Sequence, residues 1–427
     1  MTQLNELSDS ELKDLHTRVS EQYQAFKGRG LALNMARGKP APEQLDLVES
    51  LLDKPGTGNH TASDGTDCRN YGGLQGLPEA RELFAPLLGT SPENVIASGN
   101  ASLSLMHDYI VFSLLKGNPD SDRPWMREDT VKFLCPVPGY DRHFAICEEY
   151  GIEMISVPLN DDGPDMDRVE ALVRDDPAVK GIWCVPKYSN PTGAVYSDEV
   201  VRRLAAMTTA APDFRIFWDN AYAVHHLTAE RIEIANLIEA CEQEGNANRA
   251  LVFASTSKVT FAGSGLALFG ASQDNVRWFL QRMSKRTIGP DKINQLRHCE
   301  LLPDLNALHK LMDGHREILA PKFRAVEEAF SRLLNDPQVA TWTQPKGGYF
   351  ISLDVPPGCA SRIAALAKDA GVVMTPAGAA FPLGHDPEDR NLRIAPSFPS
   401  LEEVEQAAEG IALCVLVAAT EQALASR

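Results

Sequence analysis

The sequence lacks the marks of several protein classes. Its eight cysteines form no CxxC pair and none has a histidine at metal-ligand spacing, so neither a zinc site nor a disulfide frame is expected. Several sit in apolar runs, as Cys184 does in Gly181-Ile182-Trp183-Cys184-Val185, which suits reduced, buried thiols. No Lys/Arg block offsets the formal net charge of −17, which argues against nucleic acid or an anionic membrane as partner, because polyanions are repelled. The densest basic segment, 277–286, spaces its charges as a solvated helix face does. No run reaches the length of about 18 apolar residues that reads as a membrane span. The opening Met1-Thr2-Gln3-Leu4-Asn5-Glu6-Leu7 lacks the basic and apolar regions of a secretory leader. The expectation is a cytoplasmic protein. No internal repeat or low-complexity tract is evident.

What is present is an ordinary globular composition, 44% hydrophobic and 23% charged, in 427 residues. That length exceeds what one core usually serves, so two domains are expected. Helices are predicted at 9–27, closed by Gly28, and at 42–53, and 55–76 reads as loop, an arm for a neighbouring subunit. Strands are predicted at 94–97, 130–135, 153–157, 181–185, 214–218, 250–254 and 266–271. Helices near 102–116, 139–150, 165–174, 198–208 and 232–243 alternate with them. Such alternation of apolar strands with helices predicts an α/β fold, a mainly parallel seven-stranded sheet sandwiched by helices. Long helices over 274–335 lead into an α+β pattern, with strands at 349–354, 372–375 and 391–395, a helix near 360–370 and a C-terminal helix. The expected organisation is a large domain over 51–310 and a small one over 311–427, with residues 1–50 packing on the small domain.

In open α/β sheets ligands lie outside the C-terminal strand ends, and there the polar residues collect. The run Ala250-Leu251-Val252-Phe253-Ala254 delivers Ser255-Thr256-Ser257-Lys258 into the interior. Burial lowers a lysine's pKa and prepares it to form a Schiff base. The other strand ends carry Ser98-Gly99-Asn100-Ala101-Ser102 opening a helix, Pro136-Val137-Pro138-Gly139-Tyr140, Asn190-Pro191-Thr192-Gly193, and Asp219-Asn220-Ala221-Tyr222. Each has a plain alternative: a capped helix, a core tyrosine, a tight turn, a loop aspartate, a solvated lysine. Five such alternatives must hold together for the rim to be inert. One account covers all of them: a phosphate site at a helix N-terminus, an aromatic to stack on a ring, a carboxylate for a ring nitrogen and a lysine for an aldehyde, which are the needs of pyridoxal phosphate.

With Gly38-Lys39-Pro40 and Arg393 in Asn391-Leu392-Arg393-Ile394-Ala395-Pro396, these motifs span 34–395, nearly the whole chain. The chain resembles the fold-type I pyridoxal-phosphate aminotransferases of class I/II. Ala36-Arg37-Gly38-Lys39-Pro40, Tyr71-Gly72-Gly73-Leu74-Gln75-Gly76 and the stretch from Thr287 to Arg297 are similar to a divergent bacterial branch of aspartate aminotransferases. The resemblance implies that Lys258 carries pyridoxal 5′-phosphate, that Asp219 pairs with its ring nitrogen, that Tyr222 and Asn190 bond its phenolate oxygen and that Tyr140 stacks on the ring. Ala101, Ser102, Ser255 and Ser257 would hold the phosphate, with Tyr71 reaching over from a second subunit of a homodimer. Arg393 would clamp the substrate α-carboxylate, helped by Gly38 and Asn190. It implies reversible amino-group transfer from L-aspartate to 2-oxoglutarate by a ping-pong cycle, with small-molecule amino and 2-oxo acids as substrates and no metal, nucleic acid or membrane.

One departure stands out, since the family usually places an arginine soon after the lysine, and nothing from Val259 to Gln273 is basic. A dicarboxylate also needs a second cation, for which Arg37, Lys39 and Lys292 are candidates, the last from a partner subunit. Alternatives within the cofactor class are an aminotransferase for aromatic or neutral amino acids and a β-lyase. Outside it stands a non-catalytic regulator built on an aminotransferase-like domain, which the acidic chain and the early start of the motif set disfavour.

Overall fold

The computed structural model describes residues 4–334 and 339–427, so position 335 of the predicted helical stretch and the first three residues lie outside it. The central sheet has the order Val95–Ala97, Ala267–Ala271, Ala250–Ser255, Arg215–Asp219, Val179–Cys184, Lys132–Val137, Glu153–Asn160, Gly163–Pro164. The five strands from Ala250–Ser255 to Glu153–Asn160 are parallel, and Ala267–Ala271 runs antiparallel to both its neighbours. All seven predicted strands form, but the sheet has eight. The addition is the two-residue Gly163–Pro164, which folds back antiparallel on Leu159 and Asn160. Gly163, at φ +130°, allows that reversal. So short a Gly-Pro piece carries no alternation to read.

Both faces of the sheet are buried, as the continuous apolar strands require. In Arg215–Asp219, Ile216 and Trp218 join one core cluster with Leu83, Val200 and Leu204, while Phe217 points to the other, with Tyr109, Phe133 and Phe279. A third cluster gathers Tyr23 and Phe26 of the helix Asp9–Lys27, Phe323 and Phe330, Ile351 and Leu353, and much of the helix Leu401–Ala425. Around it lie a three-stranded antiparallel sheet of Thr341–Trp342, Ile351–Asp354 and Asn391–Ile394, and the parallel pair Leu33–Asn34 with Val372–Val373. The helix Leu305–Leu334 runs between the regions, giving Leu308 and Met312 to the first cluster and Phe323 onward to the third.

Several predicted helices come out shorter, those near 139–150 and 198–208 by two or three residues, as Asp141–Glu149 and Asp198–Ala206, and two others by more. The stretch 42–53 divides into Pro42–Asp46 and a 3-10 turn, Glu49–Asp53. The helix predicted from 232 begins only at Leu237, because Asn236 caps it by accepting from the Ile238 and Glu239 amides. Leu401–Ala425 is long and apolar enough to cross a membrane on length and composition, yet 72% of its most apolar window is buried in the protein, as in a core helix.

Candidate active site

Seven of the predicted residues line one cavity at the C-terminal strand ends: Gly38, Ser102, Tyr140, Asn190, Asp219, Tyr222 and Lys258, with Leu103, Met106, Val185, Ala221 and Phe350 completing the wall. Lys258 sits in the turn after Ala250–Ser255, half-buried, with its amine 5.1 Å from the centre of the Tyr222 ring. Burial lowers its pKa from the ordinary lysine value, against the opposing pull of the Asp219 charge. The turn is built by Thr256, whose hydroxyl accepts from the Leu266 amide at 2.8 Å and whose carbonyl accepts from the Val259 and Thr260 amides.

Asp219 ends the strand Arg215–Asp219 and is 3% exposed. Its Oδ2 accepts from His143 Nε2 at 3.0 Å, while Oδ1 is buried with no partner. A buried carboxylate oxygen without a donor is costly, so a ligand N–H belongs there. His143 is held by stacking on Trp183, centroids 4.3 Å apart and planes at 8°, and by the edge of Tyr140. Sequence reading missed His143, although it lies three residues after Tyr140 on the first turn of Asp141–Glu149. Burial pushes the Tyr222 phenol far up and the Tyr140 phenol to about 12, so both are neutral hydrogen-bond donors at neutral pH.

Arg393, from the strand Asn391–Ile394, is 9% exposed and reaches the cavity edge. Its Nη1 donates to Asp141 Oδ1 at 2.8 Å and to Asn190 Oδ1 at 3.4 Å, and its guanidinium lies 5.1 Å from the Phe350 ring centre. Nε is buried and unpaired. Gly38 is needed for close approach, since a Cβ there would come 2.3 Å from the Phe350 ring. Asp141 and Phe350 were not legible as site residues, because each acts through a guanidinium distant in sequence.

Other predicted residues stand apart from the cavity wall. Ala101 caps the helix Ser102–Lys116 without a side-chain bond. Ser255 ends its strand paired with Ala267, and Ser257 Oγ donates to the Asn100 carbonyl at 2.9 Å, which places both beside that helix start. Tyr71 is 81% exposed. Of the three candidate distal cations, none lines the cavity. Lys292 Nζ donates to the Asn70 and Gly72 carbonyls at 2.7 and 2.8 Å, Lys39 Nζ lies 3.7 Å from the Phe398 ring centre, and Arg37 is exposed. Lys258 is the only cationic residue among those lining the cavity, and no cluster of metal-binding side chains occurs among the described residues.

A mainly parallel sheet whose strand ends bring Lys258 into one cavity with Asp219 defines an α/β enzyme of the pyridoxal-phosphate-dependent transferase fold type I. More narrowly, the chain belongs to the family described as aspartate amino-transferase, whose model matches residues 7–427. A Mycolicibacterium smegmatis protein bearing an aminotransferase name is 56% identical over 423 residues, 99% of each chain. An aspartate aminotransferase of Corynebacterium glutamicum is 52% identical over 406 residues, 95% of this chain and 94% of its own. The crystal structure of an aspartate transaminase from that species superposes with a TM-score of 0.97 at 50% identity, covering 99% of both chains. Members of this family use pyridoxal phosphate in general and act on amino and 2-oxo acids.

Proposed function

We propose that this protein is an aspartate aminotransferase, moving the amino group of L-aspartate to 2-oxoglutarate reversibly to give oxaloacetate and L-glutamate. The observation that carries the reading is the convergence of Lys258, Asp219, Tyr222, Asn190 and Tyr140 on one cavity with Arg393 at its edge. Similarity to the aspartate aminotransferase of Corynebacterium glutamicum supports the choice of substrate.

Pyridoxal 5′-phosphate fits the residues present. The unpartnered Asp219 Oδ1 suits a protonated ring nitrogen, and Lys258 supplies an amine whose neutral form is favoured by burial. Ser102, at the start of a helix whose first backbone N–H groups have no intrahelical partner, suits the phosphate, and Ser257 beside it joins once its hydroxyl turns from the Asn100 carbonyl. Among the described residues no arginine lines the cavity, so hydroxyls, amides and the helix dipole carry that task. When bound, the cofactor supplies a carbonyl to receive the amino group and an electron-withdrawing ring that acidifies the substrate α-carbon.

The chain's own groups do the rest. Asp219, fixed by His143, keeps its free oxygen aimed into the cavity as a proton-holding acceptor. Tyr222 and the Asn190 amide offer donors from the same cavity wall. Arg393 binds the substrate α-carboxylate and so fixes the α-carbon near Lys258. The neutral Lys258 Nζ takes the α-proton and returns a proton on the far side of the transfer, as base and then as acid. A second substrate runs the sequence backwards, which makes the cycle ping-pong.

A neutral or aromatic amino acid is the second reading, favoured by the apolar wall of Leu103, Met106, Val185 and Phe350 and by the lack of a second cation there. On the aspartate reading the distal carboxylate meets Arg37 or Lys39, which flank Gly38 of the cavity wall in sequence, or a cation of a partner subunit such as Lys292. Steady-state rates with aspartate, glutamate, alanine, phenylalanine and kynurenine separate the two; no turnover of either acidic amino acid sinks the first. Lys258→Ala abolishes both the visible absorbance of lysine-bound cofactor and transamination, and survival of either contradicts the mechanism. We further propose a homodimer with shared sites, in which Tyr71 serves the partner's cofactor phosphate, and a division into 51–310 and 311–427, with 1–50 joined to the latter.

A further inference from the structure

The turn that carries Lys258 is held from behind by groups to which the proposed reaction gives no task. The Lys258 carbonyl accepts from His225 Nε2 and from the Tyr349 hydroxyl, each at 3.3 Å. The Tyr349 oxygen accepts in turn from Gln44 Nε2 at 3.0 Å, and the second hydrogen of that amide goes to His315 Nδ1 at 2.7 Å. Gln44 Oε1 takes the Ala41 N–H at 3.0 Å, which sets the amide's orientation. Every donor direction then follows: with Gln44 giving to it, Tyr349 has its own hydrogen to give, and Lys258 receives it. The edge-on contacts of His225 with Tyr222 and Tyr349, both with centroids 5.6 Å apart, fix the imidazole plane.

These groups are buried, Tyr349 and Gln44 fully, so a bond left unmade there is costly. Lys258 needs the hold because it lies beyond the strand, in a turn where no sheet ladder fixes its backbone. Tyr349 also precedes Phe350, the ring that lies against the Arg393 guanidinium.

We propose that His225 and Tyr349 are positioning residues that hold the Lys258 main chain so that its amine faces the cavity, and that Tyr349, through Phe350, ties this hold to the carboxylate-binding Arg393. The inference rests on the cofactor reading above. Its test uses the full-length chain freed of cofactor and mixed with pyridoxal 5′-phosphate, following the growth of the visible lysine-adduct band alongside Tm. Tyr349→Phe, which removes one oxygen, and His225→Ala are expected to capture the cofactor about tenfold more slowly, as a lysine displaced by a fraction of an ångström does. His225→Gln, whose amide still donates, regains most of the rate. Capture at the wild-type rate in both Tyr349→Phe and His225→Ala overturns the inference, and so does a His225→Gln no faster than His225→Ala. A wild-type chain that captures nothing overturns the cofactor reading and this inference with it, a pattern distinct from slow capture confined to the variants.

Discussion

Asp213 holds three side-chain donors on a carboxylate that water hardly reaches. Lys180 Nζ donates to Oδ1 at 2.8 Å, and Trp125 Nε1 and Ser121 Oγ each donate to Oδ2 at 2.7 Å. Burial alone pushes its pKa up, but the bonds from Lys180 and Ser121, the Lys180 charge and the Trp125 bond outweigh it, and the net shift is downward. A folded-state pKa below the unfolded value, which is about 3.9, makes Asp213 a source of stability that is fully present above that unfolded value. It is lost as pH falls through the lowered folded value. Asp213→Asn leaves Lys180 with Glu128 at 3.7 Å as its remaining ion pair and is expected to cost about 3–5 kcal/mol at neutral pH. Urea unfolding of both proteins from neutral to acid pH checks this: the gap should narrow only on the acid side, and a constant gap contradicts it. At the same scale, Lys258, Asp219, Tyr222, Asn190 and Tyr140 were legible in sequence because each follows an apolar strand, and topology brings parallel strand ends together. His143 and Asp141 were not. Their partners Asp219 and Arg393 lie 76 and 252 residues away, and nothing local in the sequence marks a pair of that separation.

Elements were legible where one pattern ran long enough and failed where a local cap or a short piece decided the outcome. The helices Asp9–Lys27 and Ser102–Lys116 match their expected bounds. Asn236 moved the start of Leu237–Gln243, and Gly163–Pro164 gave no warning of an eighth strand. Leu401–Ala425 shows what packing adds to a pattern, for its residues 410–419 are apolar all round and only the fold shows what covers them. Part of the cover is Phe26, which lies so close to Gly410 that a Cβ there would come 2.4 Å from its ring. Phe26 belongs to Asp9–Lys27, so Gly410 sets how near the first and last long helices approach. Gly410→Val, too large for that contact and β-branched within a helix, is expected to destabilise by about 1–3 kcal/mol or somewhat more. Thermal unfolding of the holoenzyme reads it. Pairing with Phe26→Ala, which makes room, should give a loss smaller than the sum of the two single losses, and strict additivity contradicts the contact.

For the whole molecule, the feature a single protomer leaves unexplained is a ridge of two loops. Lys292 grips the Asn70 and Gly72 carbonyls, and a Cβ on Gly289 would stand 2.4 Å from the Gly72 oxygen, so the loops around 70–73 and 287–292 are packed as one. This ridge exposes Tyr71 and Ile288, 81% and 65% respectively, and neither lines the protomer's own cavity. A lysine among three candidates for the distal substrate carboxylate is thereby committed to holding the ridge. Within one protomer Lys292 is engaged by the Asn70 and Gly72 carbonyls, and its use as a distal cation rests on the proposed dimer. In the proposed homodimer the ridge of each subunit enters the other's site, so a subunit lacking Tyr71 and a subunit lacking Lys258 are defective in different halves of a shared site. Tyr71→Ala and Lys258→Ala, each weak or inactive alone, are therefore mixed, unfolded and refolded together. Random two-fold pairing makes about half the dimers hybrid, and each hybrid has one intact site and one doubly altered site, so about a quarter of wild-type activity should return. Recovery that rises with the hybrid fraction supports a site completed across the interface. No recovery beyond the sum of the parents, with hybrids present by native mass measurement, means that each protomer's site is complete in itself and that the ridge serves another purpose.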